Sequence, residues 1–430
     1  YKQDLMQIFH CTEDEISNDV SDILKGKKVK YFYGNLDLSN LDTIDGISLP
    51  QFIIGGGLNL SGLSRLEGVV LPEFIYGTLN LENVKEVREV IFPKTVFGSL
   101  RLNSLEQVPE DGLRLSEKVK GDLWISHLKN TKGVQLPLEL GGDLGLNGLE
   151  TAEGLELPDE LFGDLWLNGL KSAAHLKLPS ILHENLWMNG LENADGLTLP
   201  KFLGGGLSLK SLKSAKGLKF PTQLFGSLVL SGLIDIEGLI LPEHIDGDLI
   251  LKSLIHAEGL KLSNYIGGDL NLENAVSVRN LKFSSHIGGS LYLESATDVE
   301  NTTFPDFIGG NCWLDGIVNV HSMKLSPWIG GEVFLGNLIH AERLELSNYI
   351  GGTLSLTNLE NNNGLIVPKE FQYAVLEAIY LTMDDLYQKS LDASISQVSM
   401  RRGVSKLGIL FLLNFLFFVG YLIVRIVFLR

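Results

Sequence analysis

The stretch "LKLSNYIGGDLNLENA", residues 260–275, contains the pattern that decides the fold. Nearly the same letters return at residues 344–356 as "LELSNYIGGTLSL". On each side of the Gly-Gly pair, apolar residues alternate with polar ones over three positions. Such a short period-2 alternation is typical of a short β-strand with one buried face. The repetition raises the question of whether the glycines form a ligand loop or one turn of a larger repeat.

An internal repeat covers most of the chain. We number each unit from the first apolar residue of the "LxL" that follows the glycines, and this residue is position 0. The spacing between successive units is 21 residues, with one step of 22 and one of 23, and sixteen units span residues 34–367. Position 0 is occupied by Leu36, Leu58, Leu79, Leu100, Leu123, Leu144, Leu165, Leu186, Leu207, Leu228, Leu249, Leu270, Leu291, Cys312, Val333 and Leu354.

Each unit reads approximately LxLxxLxxAxGLxLPxxIxGx, which predicts two short strands, at positions 0–2 and 11–13. Glycine at position 19, and often at 10 and 18, permits positive φ angles at the corners. Proline recurs at position 14, where it would end the second strand because it has no N–H for a ladder. The eleven units with this proline contain Pro50, Pro72, Pro93, Pro137, Pro158, Pro179, Pro200, Pro221, Pro242, Pro305 and Pro368.

A unit with two such short strands cannot bury its own leucines, but stacked units can cover one another. The sequence therefore predicts a mainly β fold, a right-handed parallel β-solenoid. With one strand spacing of about 4.8 Å per turn, it would extend for roughly 75 Å. The double glycine then turns a corner rather than holding a ligand.

The units resemble leucine-rich repeats, most closely the bacterial surface class, through stretches such as "LELPDEL", "LTLPKFL" and "LILPEHI". The resemblance covers only the sixteen units. Their period is shorter than usual for that class, and a generic leucine-rich parallel β-solenoid fits as well. The resemblance implies a surface or envelope protein that binds other macromolecules through one face.

Composition excludes several function classes. The net charge of -17 argues against nucleic-acid binding, which requires a surplus of Lys and Arg. The two cysteines, Cys11 and Cys312, form neither a disulfide framework nor a CxxC motif, and Cys312 takes a core position. The sequence therefore indicates no cofactor.

The two ends differ from the repeats. Residues 1–33 predict a helical N-terminal cap that stops at Gly26, and residues 368–403 predict an amphipathic helical C-cap and linker, with Phe371, Val375 and Ile379 on one face. Residues 404–430 contain eighteen uncharged residues, 407–424, which predict a single-pass transmembrane anchor in a lipid bilayer. A buried core helix is the alternative.

The uneven distribution of charged residues along the chain bears on where the protein is located in the cell. The last thirty residues carry five Lys or Arg and no acid, which leaves 30 basic against 52 acidic side chains in the rest of the chain. The sequence thus predicts an acidic body on a basic membrane anchor. We expect the solenoid to be extracytoplasmic, although basic residues on both sides of the span leave its orientation open.

Position 1 points outward if positions 0 and 2 point inward, and it is rich in aromatic residues. Exposed rings on a sheet are what a protein or a glycan partner would contact. The alternative is that the rings pack under the C-terminal segment or are simply good strand formers. The candidate binding residues are Trp124, Trp166, Trp187, Tyr292, Trp313 and Phe334.

Acidic residues occupy the corner before position 0 on three consecutive units, as Asp122, Asp143 and Asp164. Stacked carboxylates about 5 Å apart could hold calcium or act as a glycosidase pair. Other units place Ser, Thr, Gly, Asn or Glu there, which indicates a turn that accepts any small polar residue. The sequence therefore favours no metal site, with calcium as a weak candidate.

These observations predict a membrane-anchored repeat scaffold for protein or glycan recognition and adhesion at the cell envelope, without catalysis. The first alternative is a structural or self-assembling envelope protein that acts through lateral or end-to-end contacts. A weaker alternative is a carbohydrate-processing β-solenoid, which would need long loops that these regular units lack.

Overall fold

The computed structural model describes residues 2–360, 362, 364–369, 372–378, 385–386 and 388–389. The chain divides into two compact units, Tyr1–Ser253 and Leu254–Arg430, called here unit 1 and unit 2. Each is a parallel β-solenoid, and together they contain about sixteen turns of about 21 residues. The predicted repeat period and the parallel β architecture are therefore confirmed.

The first parallel ladder, ladder A, contains the strands at positions 0 and 1. Residues at the same position of successive turns lie opposite each other, as Trp166 and Trp187 do. In unit 1 its strands are Leu36–Asp37, Leu58–Asn59, Leu79–Asn80, Leu100–Arg101, Leu123–Trp124, Leu144–Gly145, Leu165–Trp166, Leu186–Trp187, Leu207–Ser208, Leu228–Val229 and Leu249–Ile250. In unit 2 they are Leu270–Asn271, Leu291–Tyr292, Cys312–Trp313, Val333–Phe334 and part of Tyr349–Leu356.

The second ladder, ladder B, lies at positions 16 and 17. In unit 1 its strands are Ile16–Ser17, Tyr31–Tyr33, Phe52–Ile54, Phe74–Ile75, Thr95–Val96, Lys118–Val119, Glu139–Leu140, Glu160–Leu161, Ile181–Leu182, Phe202–Leu203, Gln223–Leu224 and His244–Ile245. In unit 2 they are Tyr265–Ile266, His286–Ile287, Phe307–Ile308, Trp328–Ile329, part of Tyr349–Leu356, and Gln372–Ala378.

The predicted second strand at positions 11–13 is present in only part of the solenoid. Strand pairs near these positions are Leu113–Arg114 with Val134–Gln135 and Met323–Lys324 with Leu344–Glu345. Other strand pairs lie a few residues before these positions, at Arg65–Glu67 with Glu86–Arg88 and at Asn319–Val320 with His340–Ala341. Isolated parallel bridges join these positions in other turns, at Val70 with Ile91, Lys282 with Thr303 and Glu345 with Ile366. From Leu155 to Leu260, position 11 is buried without a strand, and the alternation of burial there resembled one. The real strand begins just after the proline.

The core is a set of stacked apolar columns. Leu165, Leu167 and Leu170 of one turn are fully buried, and equivalent residues recur in the turns before and after. Each fully buried leucine contributes roughly 1.5–3 kcal/mol relative to exposure. Since each turn is covered by its neighbours, the repeat itself provides the core.

The glycines have two distinct roles. Positive φ occurs at position 10, for instance at Gly154 (77°) and Gly259 (80°), and Asn280 and Asn301 adopt it there at 57°. At positions 18 and 19 the reason is space instead: a Cβ on Gly309 would lie 2.0 Å from the carbonyl oxygen of Gly288. The double glycine thus lets successive turns approach closely, which corrects the expectation of positive φ at most of those corners; Gly34 and Gly55 have it, at 100° and 67°.

The N-terminal region contains two short helices, Lys2–Phe9 and Val20–Leu24, and a 3-10 turn at Glu13–Glu15. Gly26 follows the second helix with φ of 76°, as the helix-stop prediction requires. The strand Ile16–Ser17 pairs in parallel with Tyr31–Tyr33. The parallel ladder therefore begins inside the segment that the sequence assigned to a purely helical cap.

At the C-terminal end, Gln372–Ala378 forms a strand that pairs in parallel with Tyr349–Leu356, where the sequence predicted a helix. The four-residue spacing read as helical is also a multiple of two, so the segment suits a strand that covers an open sheet edge. Asp385, Leu386, Gln388 and Lys389 are helical. The remainder of the predicted C-cap and linker lies outside the described residues.

No helix among the described residues is long and apolar enough to cross a membrane. The predicted anchor, residues 404–430, lies outside that part of the chain, so it stays a prediction.

Candidate functional site

The outward face of ladder A carries three adjacent columns of side chains in unit 1. Positions 20, 1 and 3 follow one another at two-residue steps, so they share one face of the strand. On four consecutive turns this face forms a grid that we call the tryptophan platform. The platform contains Asp122, Trp124 and Ser126; Asp143, Gly145 and Asn147; Asp164, Trp166 and Asn168; and Asn185, Trp187 and Asn189.

The central column brings together the three predicted tryptophans of unit 1. The rings of Trp166 and Trp187 stack with centroids 4.8 Å apart and planes 9° apart. Trp124 reaches over Gly145 to within 6.2 Å of the Trp166 centroid, and its plane is tilted by 46°. A Cβ on Gly145 would lie 1.9 Å from the Trp124 ring. All three rings are half-buried, while the leucines beside them are buried.

The flanking column at position 20 is a hydrogen-bonded ladder. The Oδ1 of Asp122 accepts from the backbone N–H of Asp143 at 3.1 Å, and that of Asp143 accepts from the N–H of Asp164 at 2.8 Å. Asp164 continues the ladder to Asn185 at 2.8 Å and also accepts the indole N–H of Trp187 at 3.1 Å. At least one oxygen of each carboxylate thus accepts a structural hydrogen bond.

The three aspartates are the weak calcium candidate. Burial raises the pKa of Asp143. The hydrogen bond from the backbone N–H of Asp164 lowers it, but the negative charges of Asp164 and Asp122 raise it further, and the net shift is upward. Within the described ranges, no group of three or more His, Cys, Asp or Glu residues is arranged to hold a metal ion. A small polar residue that accepts the next turn's N–H explains why Ser, Asn and Asp alternate along this column.

The column at position 3 is an asparagine ladder that the sequence analysis missed. Asn168 donates from Nδ2 to the Oδ1 of Asn147 at 2.9 Å, and Asn189 donates its backbone N–H to the Oδ1 of Asn168 at 3.0 Å. The signal in the sequence is the "LNGL" or "MNGL" that recurs in three consecutive turns, at residues 146–149, 167–170 and 188–191. The two flanking ladders hold the tryptophans between rigid polar rows.

In unit 2 the three other predicted residues also meet. Tyr292 and Trp313 lie 6.3 Å apart, and Trp313 and Phe334 lie 3.8 Å apart, with planes within 7° of parallel in both pairs. Position 3 of these turns carries Glu294 and Asp315 instead of asparagine. The unit 2 column therefore has aromatic rings but an acidic flank.

A second aromatic column in unit 2 was not predicted. Position 16 of ladder B carries five stacked rings with centroid distances between 4.0 and 6.5 Å, and Trp328 among them is 44% exposed. We call it the ladder B column, and it contains Tyr265, His286, Phe307, Trp328 and Tyr349. The position was missed because the strand was assigned to positions 11–13.

Two other features lack the arrangement of a catalytic site. An open groove of about 1340 Å³ lies along the first turns of unit 1, with exposed Val70 and Ile91 and with charges of both signs, such as Arg114 and Glu117. Cys312 is buried in the core, and burial raises the pKa of its thiol to about 12. The thiol is therefore inert at neutral pH.

Comparison of the chain with protein-family models, with curated proteins and with solved structures found no match in any of the three.

Proposed function

We propose that this protein is a non-catalytic recognition scaffold that binds a glycan or protein partner through the tryptophan platform. The single observation that carries the proposal is the stacked pair Trp166 and Trp187, half-buried on the outer face of ladder A between two rigid polar rows. Large aromatic rings held in place lose little conformational entropy on binding and bury much apolar area.

The proposal includes an acidic body tethered to a membrane by residues 404–430 and exposed outside the cytoplasm. Its support is the eighteen-residue uncharged stretch 407–424 and the charge difference between this segment and the rest of the chain. The resemblance to bacterial surface leucine-rich repeats agrees with a role in adhesion at the cell envelope.

The test compares two double variants for binding to envelope fragments of the source organism. Trp166→Ala with Trp187→Ala removes the central pair of the platform. Tyr76→Ala with Phe97→Ala removes another exposed stacked pair of unit 1, whose centroids are 4.7 Å apart, and is the matched control. We expect binding to fall about tenfold or more only in the first variant; equal binding by both would refute the proposal.

The second candidate is a structural protein that self-associates through lateral contacts. The ladder B column favours it, because four of its rings are half-buried and Trp328 is exposed, and charge-poor aromatic surfaces are typical of interface cores. Sedimentation of the full chain, compared with Trp328→Asp, tests it: a dimer that the substitution dissociates would support self-association, and a monomer at all concentrations would exclude it.

A further inference from the structure

We propose that the tryptophan platform binds a neutral polysaccharide with an extended, flat chain that runs along the column from turn to turn. This inference rests on the proposed function, because it names the ligand class for the same surface. It is argued from the position of the Trp124 ring against Gly145, from the polar rows at positions 20 and 3, and from the negative charge of the aspartates at position 20.

The first argument is the seat of Trp124. Gly145 has no positive φ, and the atoms nearest to its missing Cβ belong to the Trp124 ring. The backbone therefore does not require glycine there; the ring does. Trp124 lies against this bare backbone and is tilted by 46° from Trp166, so its ring is not stacked face to face on another ring, whereas Trp166 and Trp187 cover each other's faces. An open aromatic face is the surface on which the apolar face of a sugar ring packs.

The second argument is the pair of polar rows. Sugar hydroxyls donate and accept hydrogen bonds, so a glycan site needs both acceptors and donors. The row at position 20 supplies carboxylate acceptors, among them Asp143. The row at position 3 supplies donors, since the amide N–H groups of Asn147 and Asn189 have no acceptor among the described residues.

The third argument is preorganisation. The row at position 20 is linked by hydrogen bonds across all four turns, and the row at position 3 from Asn147 to Asn189, so binding would cost little ordering of these side chains. The turns repeat at one strand spacing, about 4.8 Å. One sugar ring of an extended, equatorially linked chain is about as long as one turn is high, so successive sugars could meet successive rows.

The charge selects the class of glycan. Three of the four residues at position 20 of the platform are aspartates, and the whole chain carries a net charge of -17. Chains of uronic acids or sialic acids would be repelled, because like charges brought together at an interface are unfavourable. The chemistry that remains is a neutral β-linked chain of the cellulose or chitin type.

The test is calorimetric titration of the full chain, held in a detergent without a sugar headgroup, with cellohexaose, chitohexaose and hexagalacturonate. We expect one or both neutral oligosaccharides to bind and the anionic one not to bind. Trp166→Ala should weaken binding about tenfold or more, and Gly145→Ala, which displaces the Trp124 ring, about fivefold. Tyr76→Ala should bind like the wild type.

The outcomes separate this inference from the proposed function. If neither neutral oligosaccharide binds, or if hexagalacturonate binds best, the polysaccharide assignment is refuted. The proposed function then survives only if envelope binding still depends on Trp166 and Trp187, which would indicate a protein partner. Equal weakening of oligosaccharide binding by Gly145→Ala and Tyr76→Ala would also refute the polysaccharide assignment. Melting curves of each variant exclude loss of fold, and Trp166→Phe, which keeps a ring, should bind better than Trp166→Ala.

Discussion

At residue 143 the chain places a carboxylate in a column whose structural role is to accept a backbone hydrogen bond. Serine and asparagine have the same role in other turns, so the charge is not needed for the fold. Burial and the neighbouring Asp164 and Asp122 raise the pKa of Asp143 above its ordinary value of 3.8. The carboxyl of Asp143 therefore holds its proton more tightly in the native state than in the unfolded chain. The free energy of unfolding falls as the pH rises from the ordinary pKa through the higher native pKa.

We expect Asp143→Asn to stabilise unit 1 at pH 7, because asparagine keeps the Oδ1 acceptor and removes a half-buried charge. The gain should disappear as the pH falls below 3.8, where the wild-type carboxyl is protonated in both states. Thermal melts at pH 7 and at pH 3 measure it. A gain that is equal at both pH values would contradict this explanation, and Asp143→Ala, which loses the acceptor, is the control.

Ser263 of the opening stretch occupies position 14, where eleven turns have proline. Its side chain is 3% exposed, and its hydroxyl has no partner in the described part of the chain. We expect Ser263→Pro to raise the free energy of unfolding by about 1 kcal/mol, because proline restricts the unfolded chain and removes an unsatisfied hydroxyl.

Urea titration measures the effect of Ser263→Pro. Ser263→Ala separates its two causes, since alanine removes the hydroxyl but does not restrict the backbone. A loss of stability in the proline variant would show that this turn needs the serine N–H.

At the scale of elements, the double-glycine corner determines how closely turns stack. A Cβ on Gly309 would meet the backbone of Gly288 at 2.0 Å, whereas one on Gly259 would meet nothing within 4 Å but would occupy a residue with φ of 80°. The same amino acid is therefore required for crowding at one corner and for conformation at the other.

We expect Gly309→Ala to lower the free energy of unfolding by about 2 kcal/mol or more, because the adjacent backbone cannot move aside. Gly259→Asn should be nearly neutral, since Asn280 and Asn301 adopt a positive φ of 57° at the equivalent position. Chemical denaturation of both variants checks the pair. Equal losses in the two variants would mean that space does not distinguish the corners.

Much of the fold could be predicted from the period. The recurrence of apolar residues every 21 positions defined the turns, the leucine core and the parallel ladder at positions 0 and 1. The second ladder could not be located in this way, because position 11 is buried in many turns without belonging to a ladder and position 16 carries residues as different as Glu160 and Trp328. Gln372–Ala378 was misassigned because apolar residues four apart suit both a helix and a strand.

The candidate site could be predicted only in part. The aromatic column and the aspartates were visible separately, since each recurs at a fixed position. Their common face with the asparagine row follows from strand parity at positions 20, 1 and 3, which could have been derived. The seat of Trp124 on Gly145 could not, because a glycine in a strand gives no sign of which neighbouring ring will cover it.

At the scale of the whole molecule, the proposed function requires the apolar stretch 407–424 to hold the acidic body at a membrane. We expect the full chain to float with neutral lipid vesicles in a density gradient and a chain without residues 404–430 to remain at the bottom. The reason is that burial of 407–424 in lipid outweighs the loss of hydration. Replacing Leu412 and Phe415 with Asp is the control that keeps the length, and flotation of either altered chain would contradict the anchor.

The central claim is that the tryptophan platform is the recognition surface, and fluorine NMR tests it most directly. The chain has five tryptophans, so 5-fluorotryptophan labelling gives one resonance for each, assigned by single Trp→Phe variants. On titration with cellohexaose or chitohexaose, the account predicts shifts of Trp124, Trp166 and Trp187, while Trp313 and Trp328 stay unchanged. Shifts confined to Trp313 or Trp328, or no shift on addition of either oligosaccharide or of envelope fragments, would contradict it.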